Sequence, residues 1–291
     1  MLQFAQLFIN ALAIGSIYAV VALSFEIAYE ATGVVNFATG QLVTVGAFVG
    51  ASAIAYTQAN MPVSYAMTFA AMAVVGVAFY YSTFLPLRGK SIVTIVIGTV
   101  AMGIAIQNVA QIVWGPLPAA VPSPLGGGIL HVYGTAISLQ AIFVVVVAAI
   151  LIGGVALLLH RTLLGKQLRA VAQDLDAALL VGIRVRRIYG LSWVLVAILA
   201  GIAGLLLAPI WFIDVGMGDS LALKAFAAAV IGGFGSIPGA ICGGVLVGLC
   251  EILGAAYVSS EYKDALVFAI MIGFLLLRPQ GIFGERVGER G

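Results

Sequence analysis

Three glutamates are the residues best placed for chemistry in this chain, because each falls in or beside an apolar segment. Glu26 and Glu30 are four residues apart, which puts them on one face of a helix. Glu251 falls in the middle of a later apolar segment. An ionisable group in hydrocarbon is costly, so it usually faces the bundle interior, a cavity or a partner. All three are candidates for a translocation path. The alternatives are a headgroup position for the first two and a buried structural position for Glu251.

Amide and hydroxyl side chains form a second set of candidates. Asn36, Thr39 and Gln41 flank a glycine-containing stretch where the second apolar segment begins. If that segment starts as a half-helix, its free backbone amides could hold a carboxylate or another polar group. The alternative is that these side chains cap the helix. Gln107 and Asn108 fall in the fourth apolar segment, where they either line a path or bond neighbouring helices.

Sequence motifs for catalysis are missing. The chain has no Gly-x-x-x-x-Gly-Lys-Ser/Thr phosphate loop and no His-Glu-x-x-His zinc motif. Its two histidines, His131 and His160, are predicted on opposite sides of the membrane. We therefore expect a chain that is not an enzyme and that holds no cofactor or metal of its own.

These residues must be positioned by membrane helices, as the composition shows. The chain has 291 residues, of which 63% are hydrophobic and 8% charged, whereas soluble domains are about 25% charged. Stretches of about 20 apolar residues, enough to cross a bilayer, follow one another along the sequence. The net charge of +2 is too small to suggest nucleic-acid binding.

The sequence therefore predicts an all-α, polytopic integral membrane protein with about eight or nine transmembrane or re-entrant helices. Residues 1–291 are expected to form a single transmembrane domain, with a short cytoplasmic helix in the polar loop of residues 160–187. The expected apolar segments are Ala5–Ile27, Val34–Tyr56, Val63–Phe84, Ile92–Trp114, Ile137–Leu159, Ile188–Pro209, Leu221–Phe234, Ala240–Val258 and Ala265–Leu277.

Cationic residues set the orientation, because loops rich in Lys and Arg stay on the cytoplasmic side. We expect three basic groups there: Arg88 with Lys90, the cations of the polar loop, and Arg278 with Arg286 and Arg290. The N-terminus is then outside. Four charged residues late in the chain are expected at the outer face, in water or against a docking partner: Lys224, Glu261, Lys263 and Asp264.

The polar loop holds six of the thirteen Lys and Arg residues of the chain. Between Gly165 and Gly182 its apolar residues recur at helical spacing, which predicts one amphipathic helix outside the membrane. Such a helix buries its apolar stripe against a partner. Gly182 is expected to end it as a C-terminal cap.

A glycine-rich break interrupts the late apolar region. The segment before it has about 14 residues, or roughly 21 Å of helix, which is too short for a straight crossing. The stretch is either a re-entrant or broken helix, or a tight cytoplasmic turn between two helices. Its candidate hinge residues are Gly233, Gly235, Ser236, Pro238 and Gly239.

The pattern Asp176-Ala177-Ala178 with Gly182 resembles the coupling element of permeases of ATP-binding-cassette (ABC) importers, with Asp176 in place of the usual Glu. Nearly the whole chain resembles the membrane subunits of bacterial importers for branched-chain amino acids. The stretches that carry this resemblance are Gly15–Ala19, Asn36–Ala38 with Gly40, Leu168–Asp174, Gly182–Ile183, Lys224–Phe226, Gly232–Ala240 and Ser260–Asp264.

The resemblance implies a subunit of the bacterial inner (plasma) membrane with several partners. These are a second related permease, two cytoplasmic ATPase subunits and a periplasmic substrate-binding protein. ATP and Mg²⁺ are then held by the ATPase subunits and not by this chain. The coupling residues implied are Arg169, Asp174, Asp176, Ala177, Ala178 and Gly182.

Two departures from the family pattern bear on the substrate. The family usually reads Asn-Phe-Ala-His-Gly-Glu at the second span, whereas this chain has Thr39 and Gln41 at the His and Glu positions. Glu30 stands where the family commonly has Gly. The substrate stays open between branched-chain or related small amino acids and urea, amides or aromatic acids.

A secondary transporter driven by an ion gradient is the rival from another class. In that hypothesis Glu26, Glu30 and Glu251 carry protons. The acidic-Ala-Ala loop separates the two hypotheses, because a carrier without an ATPase does not require it.

Overall fold

The computed structural model describes residues 2–58, 60–132 and 135–284. Arg286 and Arg290 therefore lie outside the described residues. The described chain is almost entirely helical, as predicted. Its helices are α1 (Leu2–Thr32), α2 (Thr39–Tyr56), α3 (Met61–Phe79), α4 (Leu85–Leu87), α5 (Ile92–Trp114), α6 (Leu139–Arg161), α7 (Leu163–Gln173), α8 (Leu175–Leu180), α9 (Val185–Leu207), α10 (Met217–Gly232), α11 (Ile237–Tyr257) and α12 (Lys263–Leu277).

Seven of the described helical segments are long and apolar enough to cross a bilayer. Two further apolar helices are shorter: α10 has 16 residues and α12 has 15. At 1.5 Å per residue, α10 is roughly 24 Å long, less than the roughly 30 Å of hydrocarbon. The predicted polytopic all-α architecture is confirmed, with α10 and α12 as shortened helices late in the chain.

Two connections contain structure that the sequence did not predict. Between α5 and α6, β1 (Ile129–Val132) pairs antiparallel with β2 (Thr135–Ser138) in a two-stranded hairpin. After α3, Tyr80–Phe84 form a π-helical turn. Pro86 follows two residues later, and a proline removes a backbone donor from the helical ladder, so a local change in winding is expected there.

The second predicted segment starts five residues later than the sequence suggested. Val34–Ala38 are not helical, and Gly33 before them has φ +70°. Irregular backbone at membrane depth survives only where its polar groups are satisfied by protein or water. Here the Phe37 amide donates to Thr99 Oγ1 (3.3 Å) and the Ala38 amide to Asn36 Oδ1 (3.1 Å). α2 is therefore a helix that begins part-way along α5.

The core is formed by α1, α2, α9 and α11, whose side chains are mostly buried or packed on one another. α5 and α6 lie at the periphery, where only a small part of each helix is buried within the chain. Glycines allow the central helices to approach closely. A Cβ on Gly46 would overlap the Gly201 backbone, and one on Gly244 would lie 2.6 Å from Ala19 Cα. Membrane helices associate by this kind of small-residue contact.

Two of the three predicted basic groups lie together at one end of the bundle, in line with the predicted orientation. The Arg88 guanidinium lies 5.0 Å from the centre of the Tyr189 ring, in the first turns of α9. Arg186, from the same turns, lies over Tyr81. The loop after α3 and the polar loop therefore meet on the same side.

We expect the close contact between α2 and α9 to be sensitive to a single methyl group. Gly46→Ala should lower the free energy of unfolding by roughly 1–3 kcal/mol, since overpacking forces the helices apart. Gly153→Ala is the matched control, because nothing lies within 4 Å of a Cβ added at Gly153. Thermal melting of the purified chain in detergent measures the difference. Equal melting temperatures for the two variants would contradict the packing assigned to these helices.

Candidate functional site

Two helices begin beside each other inside the bundle. The first turn of α2 and the first turn of α10 cross at Gly40 and Gly218, where the backbones are in direct contact. A Cβ on either glycine would overlap the carbonyl of the other. The crossing is close to the middle of α5, because the Gln41 side chain lies against Gly103, the central residue of that helix. The sequence predicted an interrupted α2 but not its pairing with the start of α10.

Three polar side chains meet at this crossing. Asp219, in the first turn of α10, accepts hydrogen bonds from Gln41 Nε2 of α2 and from Gln107 Nε2 of α5 (3.2 Å). Gln107 Nε2 also lies 3.3 Å from the carbonyl of Val215. The structure thus joins two sequence-predicted path candidates through a carboxylate that the sequence analysis missed. A signal was available: Asp219 stands at the start of a helix too short to span the membrane.

A cavity of about 320 Å³ opens beside these three side chains. Its volume is at the lower end of the range of roughly 300–1,000 Å³ for small-molecule sites. One end is polar and the rest is apolar. The apolar lining consists of Phe25, Phe37, Val100, Ile104, Ala222, Leu223 and Phe226.

Other polar candidates of the second and fourth segments lie near the cavity without lining it. Thr39 Oγ1 donates to the carbonyl of Asn36 (2.8 Å), and Asn36 Oδ1 accepts from Ala38, so both stabilise the turn before α2. Neither side chain caps α2, because its N-cap Ala38 has no side-chain cap hydrogen bond, so the capping alternative was wrong for these two residues. Asn108 is exposed, and its Nδ2 donates to the Ile104 carbonyl on its own helix (2.7 Å). It faces an adjoining polar cavity that it shares with Gln107 and Asp214.

The glycine-rich break is a turn between the antiparallel helices α10 and α11. Gly233 and Gly235 have φ of +98° and +86°, values that favour glycine. Ser236 Oγ accepts from the Gly239 amide (3.1 Å) and caps α11, with Pro238 in its first turn. The five hinge candidates therefore build the tight-turn alternative. The shortened helix begins at its other end, at Met217.

Glu26 belongs to that turn and not to the cavity. Its side chain is 2% exposed, and Oε2 accepts a hydrogen bond from the Gly235 amide. Glu30 is half-buried near the end of α1, on the side of the bundle where Arg169 lies. The two carboxylates share a helix but have different partners.

Glu251 belongs to a buried ionic cluster. Glu251 Oε1 lies 2.6 Å from Lys224 Nζ, and Oε2 accepts from the Tyr18 hydroxyl. Lys224 Nζ also lies 2.8 Å from Asp264 Oδ1, and Lys263 Nζ lies 3.4 Å from Glu251 Oε1. The cluster joins α1, α10, α11 and the start of α12.

The expectation that Lys224 lies exposed at the outer face was wrong. Lys224 is 3% exposed, because α10 packs between α11 and α1 and turns this side chain inward. The ammonium compensates Glu251, the residue that has no cation near it in sequence. Glu261 is exposed, as expected, and Lys263 and Asp264 are half-buried.

The polar loop forms two helices, which corrects the prediction of one. α7 and α8 are separated by Asp174, whose backbone is extended (φ −154°) and whose Oδ1 accepts from the Ala177 amide (2.9 Å). Asp174 is thus the N-cap of α8. The predicted apolar stripe divides: Leu168 and Val171 are buried, but Leu175 and Leu179 are exposed.

α7 is fixed to the end of α6, and α8 projects beyond it. Arg169 Nη1 donates to the carbonyl of Leu159 (2.8 Å), and a Cβ on Gly165 would overlap that carbonyl. Ala178 packs inward, while Asp176 and Ala177 are exposed. Two apolar side chains form the exposed tip of α8: Leu180 is 89% and Val181 77% exposed.

Gly182 ends α8 as the sequence predicted. It has φ +80°, its amide donates to the Leu179 carbonyl (3.0 Å), and the Ile183 amide donates to the Ala178 carbonyl (3.0 Å). These two bonds define a Schellman cap. The tip is therefore held on a short helix with both ends capped.

Comparison with known proteins agrees with this architecture. A family model described as the branched-chain amino acid transport system permease component matches residues 7–275. The permease protein BraD of Pseudomonas aeruginosa, from a high-affinity branched-chain amino acid transport system, is 35% identical over 99% of this chain and 98% of its own length. LivH of Escherichia coli, from a system of the same description, is 32% identical over the same shares. A probable branched-chain amino acid permease, LivH of Methanocaldococcus jannaschii, is 31% identical over 94% of this chain and 91% of its own length.

The chain therefore belongs to the family of branched-chain amino acid transport system permease components. The resemblance drawn from its motifs is confirmed. It is a multi-pass protein of the inner (plasma) membrane.

We expect the buried ionic cluster to behave as a coupled unit. Lys224→Met removes the cation nearest to Glu251 and leaves a buried carboxylate without that partner. It should lower the free energy of unfolding by up to about 3–5 kcal/mol. The double variant Lys224→Met with Glu251→Gln removes the stranded charge and should recover part of that loss. Thermal melting of the single and double variants gives the coupling energy.

Lys166→Met is the control, because Lys166 is exposed on α7. Additive effects of the Lys224 and Glu251 substitutions would rule out the direct pairing.

Proposed function

We propose that this chain is a membrane-spanning permease subunit of an ABC importer that translocates branched-chain or related small amino acids. It works with a second related permease, two cytoplasmic ATPase subunits and a periplasmic substrate-binding protein. ATP and Mg²⁺ bind the ATPase subunits. The observation that carries the proposal is the capped α8 with its exposed apolar tip, in a chain that belongs to this family.

The tip supports a docking function. Leu180 and Val181 are too exposed to contribute to the chain's own core. An amphipathic helix that presents apolar residues fits a hydrophobic groove on a partner. Arg169 and Gly165 fix α7 against the end of α6, so a displacement of α8 is passed to the spans by rigid contact. ATP-driven closure of the ATPase subunits would then move the helices around the cavity.

The polar face of α5 supports the second permease as a partner. Asn108 and Gln111 are exposed there, and Asp219 is exposed on the open side of the cavity. Polar groups at membrane depth are costly against lipid. A second permease packed over this face would cover them and would close the cavity into a path between two subunits.

The positions of the glutamates support this proposal over an ion-coupled carrier. Glu251 is ion-paired with Lys224, Glu26 accepts from the Gly235 amide, and neither lines the cavity beside Asp219. A proton-carrying path needs carboxylates in succession along one route. Among the described residues these groups are spread over separate contacts.

The experiment that tests the proposal is reconstitution of the complete complex in proteoliposomes. We expect uptake of a branched-chain amino acid to require the binding protein and ATP, and the ATPase subunits to co-purify with this chain. Uptake that continues without any ATPase subunit would favour the secondary carrier. A binding protein that selects urea, an amide or an aromatic acid would keep the mechanism and change the substrate.

Gly182 offers a sharp test of coupling. Gly182→Val puts a β-branched residue at φ +80° and should uncap α8, since left-handed backbone costs such residues about 1–2 kcal/mol or more. We expect ATP-driven uptake to fall about tenfold while the complex still assembles.

The matched control is Gly182→Asn, since asparagine tolerates this conformation. It should keep most of the uptake. If the valine variant transports as well as the asparagine variant, the cap does not matter for coupling.

A further inference from the structure

Asp219 is a carboxylate without a cationic partner. Among the residues that the structure describes, no lysine or arginine is ion-paired with it, and the cavity lining includes none. Its hydrogen-bond partners are the amide groups of Gln41 and Gln107. Its place in the first turn of α10 favours a negative charge, since that end of a helix carries a partial positive charge. The cavity therefore has a negative end.

Gln41 holds the carboxylate in place without offering an acceptor of its own. Its side chain is 9% exposed and lines the cavity, and its Nε2 donates to Asp219. Its Oε1 is enclosed against Gly103, out of reach of a ligand in the cavity. The carboxylate of Asp219 is therefore the acceptor that this end of the cavity presents.

The remaining walls define the rest of such a ligand. Phe37 and Phe226 lie with ring centres 5.9 Å apart, and Phe25 lies 6.0 Å from Phe226. Val100 and Ile104 form the facing wall on α5. Aromatic faces attract a cation and also pack against aliphatic groups. The space fits a small molecule with a cationic group at one end and an apolar body.

We propose that Asp219 is the acceptor for the ammonium group of the substrate, held in place by the amide of Gln41. This inference rests on the proposed function and narrows it to amino acids. Urea, simple amides and aromatic acids have no ammonium group to match Asp219. The lining on this chain has no cation for the substrate carboxylate, which therefore faces the open side of the cavity.

The test compares three variants in the reconstituted complex. Asp219→Asn keeps the shape and removes the charge, and we expect ATP-driven uptake to fall at least about tenfold. Asp219→Glu keeps the charge and should retain clearly more uptake than the Asn variant. Asp214→Asn is the matched control, since this nearby aspartate accepts from the Gly216 amide (2.7 Å) and should transport normally as Asn. Co-purification of the subunits should not change in any of the three variants, and the Asp214→Asn control should also keep its basal ATPase activity.

Three results would overturn the inference. One is equal uptake by wild type and Asp219→Asn, and another is equal loss in the Asn and Glu variants. The third is failure of the Asp219→Asn subunit to assemble, which would assign the carboxylate to an ion pair with a partner chain. By contrast, a wild-type complex that takes up no amino acid at all refutes the proposed function itself.

Discussion

The direct backbone contact between Gly40 and Gly218 is the constraint on which the functional site depends. It lets two helices begin next to each other inside the bundle, and it places Gln41 and Asp219 within hydrogen-bonding contact. Backbone at membrane depth must be satisfied by protein or by water. Thr99 and Asn36 meet this need before α2, and so the chain can leave helical geometry beside a cavity.

The charged side chains inside this bundle have two kinds of environment: an ion pair within the chain, or neutral hydrogen-bond donors at a cavity. Lys224 and Glu251 neutralise each other where α1, α10 and α11 pack, so that cluster is complete within one chain. Asp219 stands at the open cavity with amide donors only. A paired, buried charge fixes helices together, whereas a carboxylate without a cation is available to a ligand or a partner. Lys224 and Asp219 both lie on α10, which therefore links the packed core with the cavity.

The membrane helices and the helical part of the polar loop could be predicted from the sequence, because hydropathy and helical spacing are local patterns. Hydropathy predicted both ends of α5, Ile92 and Trp114, correctly. The helical spacing before Gly182 predicted that this glycine caps the helix. Contacts between residues far apart in the chain could not be predicted in this way. Gln41 and Asp219 are 178 residues apart, and Lys224 and Glu251 are 27 apart on antiparallel helices. The break at Asp174 was missed because its extended backbone depends on a single side-chain cap.

The central claim is that the substrate passes through the cavity beside Asp219. The accessibility of Leu223 to a labelling reagent tests this claim most directly. Leu223 lines the cavity and is 51% exposed. Leu223→Cys is placed in a chain with Cys242→Ser and Cys250→Ser, and the assembled complex is treated with a membrane-impermeant maleimide from either side. We predict labelling from one side without nucleotide and a change of side or loss of labelling when ATP is bound. Labelling that is the same in every nucleotide state, or that never occurs from either side, would contradict the account.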